Sequence, residues 1–361
     1  MEMKNIKILK HENQSIWIDF ISKELIKSGQ LEALINKGIT GLTSNPSIFE
    51  KAISKSTDYD EDIKFLLQKK TTITSYEIFE ELSITDIKDA ASLLLETYEQ
   101  SDELDGFVSI EVSPDLAYDS NKTIDQALHL NKKINMPNIM IKVPATQEGV
   151  KAIEILTSMG LNINATLMFN QNHYNDVANA FINGAKKCSN NQLPFSVASF
   201  FVSRVDTIVD KIISSQNKKS NLLGRVAILN SQLAYTNFLH KFPNQNSKPM
   251  QKPLWGSTST KNKNYPDTLY IDKLIAPNSI NTVPLETIDQ FIDHGIPEKY
   301  KGWNKTTIEK EIEQLHEYNI DLEKITHQLQ IDGVKVFQDA FSNMLKSIEK
   351  KNNISFNLKE L

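Results

Sequence analysis

The sequence predicts an α/β fold, a single (β/α)8 barrel of the TIM type, and three observations carry that expectation. Short apolar segments alternate with amphipathic stretches over almost the whole chain, which is the pattern of repeated βα units. Eight such units follow one another with no Pro-, Gly- or Ser-rich linker, which favours one closed barrel over two domains. The rival architecture, an open doubly wound sheet, calls for a glycine-rich phosphate turn after the first strand. The segment SIWIDFISKEL contains no glycine.

Taken in chain order, the expected strands are SIWIDF from Ser15, GITGL from Gly38, GFVSIEV from Gly106, NIMIKV from Asn138 and LNINATLMF from Leu161. They continue with PFSVASFF from Pro194, PLWGST from Pro253 and SINTVP from Ser279. Between them, Tyr174, Val177, Ala178, Phe181, Ile182 and Ala185 repeat at the spacing of one buried helical face. Thr123 and Gln126 have the spacing of a capping box, so a helix is expected to start there. The helix after Thr146 is expected to stop at Gly160, where a left-handed residue costs little.

Two segments exceed a minimal barrel. Residues 47–100 form a long helical insertion after the second strand, with Ile87, Ala90, Ala91, Leu94 and Tyr98 on one apolar face. Residues 293–350 add a C-terminal helical extension packed on the barrel, ending in VFQDAFSNMLKSI. The whole chain, 1–361, is thus read as one domain, and the tail NNISFNLKEL as weakly ordered or laid against it.

Composition narrows the function. Lys and Arg total 40 against 45 Asp and Glu, a formal charge of −5 that does not suit a nucleic-acid-binding surface. Hydrophobic residues at 40% and charged residues at 24% fit a folded globular enzyme rather than a disordered chain. The lone Cys188 can form neither an intrachain disulfide nor a thiolate cluster, and reads as a small apolar residue near a helix end. The histidines at 11, 129, 173, 240, 294, 316 and 327 show no metal-ligand spacing, so no metal is expected. MEMKNIKILKHENQS has no apolar secretory core, and no stretch approaches the roughly 20 apolar residues that cross a bilayer. A cytoplasmic protein without membrane or nucleic-acid partners is the expectation.

Strand parity then picks out candidate site residues. In NIMIKV, Ile139, Ile141 and Val143 share one face, leaving Met140 and Lys142 on the other. A lysine inside a barrel is expensive to bury as a cation, which favours the neutral amine that attacks carbonyls to form Schiff bases. A structural ion pair to an interior carboxylate is the other reading, and spacing leaves the two open. The same parity puts Asp19 on the face of Trp17, Glu111 with Phe107 and Ser109, Asn162 with Asn164 and Thr166, and Ser199 with Phe201. These lie toward strand C-terminal ends, where barrel active sites are built. Several polar residues at one end, around one lysine, are hard to explain as packing.

Three strings resemble the transaldolase family: TGLTSNPSIFEKAI from Thr40, NIMIKVPATQEGVKAI followed by GLNINATLMF, and SVASFFVSRVDT from Ser196. A fourth, KPLWGSTSTKNKNYPDTLYIDKLIAPNSINTVP, extends the match from about residue 15 to DGVKVFQDAF and is similar to the longer-chain bacterial branch. The resemblance implies a (β/α)8 enzyme of the pentose phosphate pathway with Lys142 as Schiff-base lysine. It implies Glu111 as the acid/base group that holds a catalytic water with Thr166, and Asp19 as the group exchanging a proton with the substrate hydroxyl. Asn45, Asn164 and Ser199 would bind the dihydroxyacetone unit, with Phe201 beside Ser199. Arg204 would bind phosphate, at the start of a helix whose N-terminus adds donors; a surface pair with Asp206 or Asp210 is the alternative. Where many family members have a second arginine this chain reads GSTSTKN, leaving Lys261, with Thr258, in that role; lysine lacks the bidentate fork.

The reaction so implied moves dihydroxyacetone from sedoheptulose 7-phosphate to glyceraldehyde 3-phosphate, giving erythrose 4-phosphate and fructose 6-phosphate, with no cofactor and in a monomer or homodimer. Two alternatives stand beside it. One is a lyase that cleaves fructose 6-phosphate and releases dihydroxyacetone, which Glu111 disfavours. The other is a non-catalytic sugar-phosphate-binding barrel, which would be expected to lose Lys142 or Asp19, and this chain keeps both.

Overall fold

The computed structural model describes residues 4–357 apart from 71, 190–192, 217, 218 and 246, and over 352–357 it describes the backbone alone. Eight parallel strands close into a barrel in chain order: β1 (Gln14–Ile18), β2 (Gly41–Thr43), β3 (Val108–Glu111), β4 (Ile139–Pro144), β5 (Ile163–Met168), β6 (Phe195–Phe201), β7 (Met250–Gly256) and β8 (Ser279–Val283). Helix α1 (Lys4–His11) precedes β1, and α2 (Lys23–Lys27) and α3 (Gln30–Asn36) lead to β2. The insertion before β3 holds α4 (Pro46–Ser54), α5 (Asp60–Lys69), α6 (Ser75–Leu93) and α7 (Leu95–Gln100). Then come α8 (Ser120–Ile134), α9 (Gln147–Ser158) and α10 (Gln171–Lys187), with α11 (Ser203–Ser215) and α12 (Val226–Lys241) between β6 and β7. Helix α13 (Leu269–Lys273) joins β7 to β8, and α14 (Leu285–His294), α15 (Lys305–Glu313) and α16 (Leu322–Asn357) close the chain.

Strand parity sorts the core into two parts. Ile139, Ile141 and Val143 face outward into the layer between strands and helices, while Met140 joins Trp17, Phe107, Phe195, Val197, Met250, Leu254 and Ile280 inside the barrel. These interior side chains plug its N-terminal half, so a site can form only above them. Trp17 lies across β2, where a Cβ on Gly41 would stand 2.3 Å from its indole, so only glycine admits the ring.

Three expectations need correction. Thr123 does not start a helix: α8 begins three residues earlier, capped by Asp119, whose side chain accepts from the Lys122 amide at 3.0 Å. Asp is a strong N-cap, and with the helix already begun the Thr123 hydroxyl bonds back to the Leu116 carbonyl while Gln126 pairs with Tyr76 and the Ser113 amide. A capping box does occur, unanticipated, at Thr74 and Glu77, starting α6. The seventh strand begins at Met250, three residues before Pro253, because Met250, Gln251 and Lys252 pair in register with Phe195, Ser196 and Val197 of β6, with both polar side chains buried. The last helix runs through Asn357 rather than ending near 350, so the first part of the presumed tail is helical; residues 358–361 lie outside the described residues.

Helix α16 crosses the rim at the C-terminal ends of the strands. It packs on β5 and α11 at one end and on α4, α5 and α6 of the insertion at the other. Leu329, Val334, Phe337, Phe341, Met344 and Ile348 are its buried stripe. Phe341 meets Phe79 edge-on at 5.5 Å, and Lys351 ties the far end to Asp60 at 2.6 Å.

Candidate active site

Above the apolar plug, Glu111, Lys142 and Asn164 stand side by side, because the ladder pairs Glu111 with Lys142 and Lys142 with Asn164 on adjacent parallel strands. Lys142 Nζ donates to the Ser44 carbonyl at 3.0 Å and lies 3.6 Å from Glu111 Oε2, close enough for attraction but long for a hydrogen bond. Both Glu111 oxygens and the Thr166 hydroxyl are buried without a hydrogen-bond partner among the described residues. A substrate or water would find acceptors and a donor there. Burial pushes the Glu111 carboxyl up to about 7, Lys142 opposes that rise and the charge of Asp19 adds to it.

The neighbouring polar groups form a rigid network. Asn164 Nδ2 donates to Ser109 Oγ at 2.9 Å, and Ser199 Oγ donates to Asn164 Oδ1 at 2.7 Å, which fixes the amide's orientation across β3, β5 and β6. Asp19, just past β1, accepts from Thr43 Oγ1 at 2.8 Å, and Thr43 also meets Thr282 Oγ1 at 2.7 Å. Asn45 caps α4: its Oδ1 accepts from the Ile48 amide at 3.0 Å, and Pro46 fits the first turn, where its missing N–H costs nothing. Asn45 and Glu111 line one recess together with Phe341 of α16.

Arg204 is the second residue of α11, and its guanidinium lies 5.3 Å from the centre of the Phe201 ring. Desolvation lowers its proton affinity and Asp19 partly restores it, so Arg204 shares the electrostatic neighbourhood of the site. The surface pairs with Asp206 and Asp210 do not form. Asp206 accepts from the Ala227 amide and Tyr270 hydroxyl, and Asp210 from the Gly224 amide and Tyr265 hydroxyl. Lys261 is exposed on the loop after β7, with Nζ on Ser259 Oγ at 2.6 Å. Thr258 is fully buried, and its hydroxyl faces Asn281 Oδ1 at 2.9 Å and the Thr282 carbonyl at 3.1 Å. The chain thus brings Lys142, Glu111, Asp19, Thr166, Asn164 and Ser199 to one end of the barrel, with Asn45 and Arg204 on its rim, whereas Lys261 stands out in solvent. Asn162 precedes β5 and instead accepts from the Phe195 amide at 2.9 Å.

Sequence reasoning missed Ser44, Thr43 and Thr282, which orient Lys142 and Asp19. Ser44 and Thr43 lie inside the string TGLTSNPS, so parity in the short β2 was the signal available for them. No group of His, Cys, Asp and Glu suited to a metal occurs among the described residues. No helix among them is long and apolar enough to cross a membrane.

Residues 16–348 match the profile of the family described as Transaldolase/Fructose-6-phosphate aldolase. Among similar proteins, the transaldolase of Trichodesmium erythraeum is 37% identical, with 95% of this chain and 97% of that protein aligned. The transaldolase of Saccharopolyspora erythraea is 36% identical over 96% of this chain and 97% of its own length. That of Mycobacterium tuberculosis is 35% identical over 95% of each.

Proposed function

The chain belongs to the transaldolase/fructose-6-phosphate aldolase family, and from that premise we propose that it passes a dihydroxyacetone unit between sugar phosphates through a Schiff base on Lys142. It is a transferase of the transaldolase type. The lyase alternative is not favoured, since relatives at 35–37% identity over nearly the whole chain carry the name transaldolase. The observation that carries the residue assignment is the row Glu111, Lys142, Asn164 on adjacent strands above an apolar plug.

In this reading the Lys142 amine adds to the ketose carbonyl of sedoheptulose 7-phosphate, and Glu111 donates the proton with which water leaves, giving a protonated imine. A carboxyl near 7 can both give and take a proton at neutral pH, which suits the two directions of that step. Asp19 removes the proton of the hydroxyl on the carbon about to leave. The carbon–carbon bonding electrons then move onto the imine nitrogen, and erythrose 4-phosphate departs from an enamine. Asn164, oriented by Ser109 and Ser199, holds that enamine's hydroxyls together with Asn45 and Ser199. Glyceraldehyde 3-phosphate enters, the steps reverse, and hydrolysis of the imine frees fructose 6-phosphate. Thr166 supports the water on Glu111, Phe201 walls the sugar, and no cofactor enters.

Phosphate is assigned first to Arg204, whose carboxylate neighbours are engaged elsewhere, and second to Lys261, with Thr258 holding the Lys261 loop against β8. The substrates are water-soluble, and a cytoplasmic setting follows from this reading. Sodium borohydride added with fructose 6-phosphate tests it: peptide mapping should find a three-carbon adduct on Lys142. An adduct on another lysine, or none, would overturn the assignment.

A further inference from the structure

We propose that Gln330, on the C-terminal helix, is a positioning residue for this reaction: it clamps together the ends of the strands carrying Lys142 and Thr166. The inference rests on the Schiff-base reading above.

The Gln330 side chain is buried, and its Nε2 donates both protons into the barrel rim, to the Ala145 carbonyl at 2.8 Å and the Leu167 carbonyl at 3.0 Å. Ala145 directly follows β4, and Leu167 directly follows Thr166 in β5. The same strand ends are also joined directly by the Ala145 amide, which donates to the Thr166 carbonyl at 2.7 Å. One primary amide with two donors thus matches two carbonyls, a match no apolar side chain of its size can make.

The clamp falls where β5 is irregular. Its register against β6 shifts between Ala165 and Met168, and Leu167 has φ +59, a conformation leucine seldom adopts. Irregular strand ends that aim a functional side chain persist only when their surroundings hold them. Here the hold is supplied from α16, remote in sequence. Its neighbouring turns press on the same place. Thr326 accepts from Asn170 Nδ2 at 3.1 Å, and a Cβ on Gly333 would lie 3.0 Å from Leu167 Cδ2 and 3.5 Å from Arg204 Nη1. Without the clamp, the Leu167 peptide is free to relax, and Thr166 turns away from Glu111.

The test compares Gln330→Met, of similar volume but without donors, with Thr326→Val, which removes the contact to Asn170 while leaving the Ala145 and Leu167 carbonyls their donor. Each is assayed for kcat and KM on phosphorylated substrates, with kcat normalised to the Lys142 sites trapped by borohydride. Gln330→Met should lose roughly tenfold or more in kcat per trapped site with KM within about twofold, since misplacement by an ångström is costly in a preorganised site. Thr326→Val should stay near wild type. A near-wild-type kcat in Gln330→Met, a change confined to KM, or equal losses in both variants would each overturn the clamp. Should the methionine variant not fold, Gln330→His keeps one N–H donor and should show a smaller loss of kcat; wild-type kcat there overturns the clamp. Failure of wild-type enzyme to trap any adduct would instead overturn the Schiff-base reading, and is seen before any variant is compared.

Discussion

Lys142 Nζ and Glu111 Oε2 lie 3.6 Å apart, on strands in register, with their side chains 5% and 2% exposed. Water is therefore a poor stabiliser for either charge, and the pair must share what the barrel supplies. Desolvation outweighs the attraction of Lys142 at the Glu111 carboxyl, which is why its proton is held up to about 7.

That proton predicts both turnover and stability for Glu111→Gln. Turnover should fall by roughly a hundredfold with substrate affinity much less affected, because proton transfer is lost while the contacts remain. Since the folded carboxyl titrates near 7 rather than at its ordinary 4.5, the native chain binds more protons across that window, so this group's contribution to stability falls as pH rises through it. Urea unfolding should show Glu111→Gln gaining on wild type at pH 8 relative to pH 5. An equal difference at both pH values would contradict the raised proton affinity.

Arg204 is predicted to read phosphate. Loss of a charge-assisted contact costs about 1.5–3 kcal/mol, so Arg204→Ala should raise KM for phosphorylated ketoses roughly ten- to a hundredfold. Unphosphorylated dihydroxyacetone donors should be nearly indifferent. If both substrates suffer equally, the residue serves the fold, and the phosphate site lies elsewhere.

A second buried lysine gives a contrast. Lys252 lies in the lower half of the barrel, its Nζ donating to the Leu104 carbonyl at 3.1 Å and lying 5.6 Å from the Phe195 ring centre. Desolvation lowers its proton affinity, with Asp105 opposing. The apolar plug separates it from the substrate end, so borohydride should leave it unmodified. Lys252→Met should keep turnover and shift stability by no more than about 1–2 kcal/mol, since an apolar chain of similar length often replaces a buried charge at little cost. Lys142→Met should abolish turnover. Loss of turnover in Lys252→Met with an unchanged melting curve would argue against the separation.

His173 is predicted to make the fold acid-sensitive. Burial, aided by His327 whose ring centre is 6.2 Å away, lowers its proton affinity from the ordinary 6.5 to about 4. Between those values the unfolded chain binds more protons, so stability is full above about 6.5 and declines as pH falls toward 4. The loss should reach about 3 kcal/mol by pH 4. Titrating urea midpoints from pH 7 to 4.5 should show a flatter profile for His173→Gln, and a profile parallel to wild type would exclude the group.

What the sequence determined by itself was local. Side chains alternate across a strand with period two, so NIMIKV put Lys142 inside the barrel whatever surrounded it, and SIWIDF did the same for Asp19. The order of apolar segments likewise implied eight parallel strands, and the closed barrel has them in that order. Tertiary structure alone decided how those residues behave. The proton on Glu111 depends on burial and on the charges of Lys142 and Asp19, which come from other strands. Arg204 pairs with neither Asp206 nor Asp210, for residues two and six positions on point away from it around the helix, and their carboxylates bind amides and tyrosines brought in from elsewhere. Thr123 had the spacing of a cap, but Asp119 had already begun the helix. Gln330 carried no local signal at all, for its partners Ala145 and Leu167 lie 185 and 163 residues away. Periodicity is a property of neighbouring residues and can be read along the chain. Proton affinity and hydrogen-bond partnership depend on what the fold brings within a few ångströms, so they exist only once the barrel has closed.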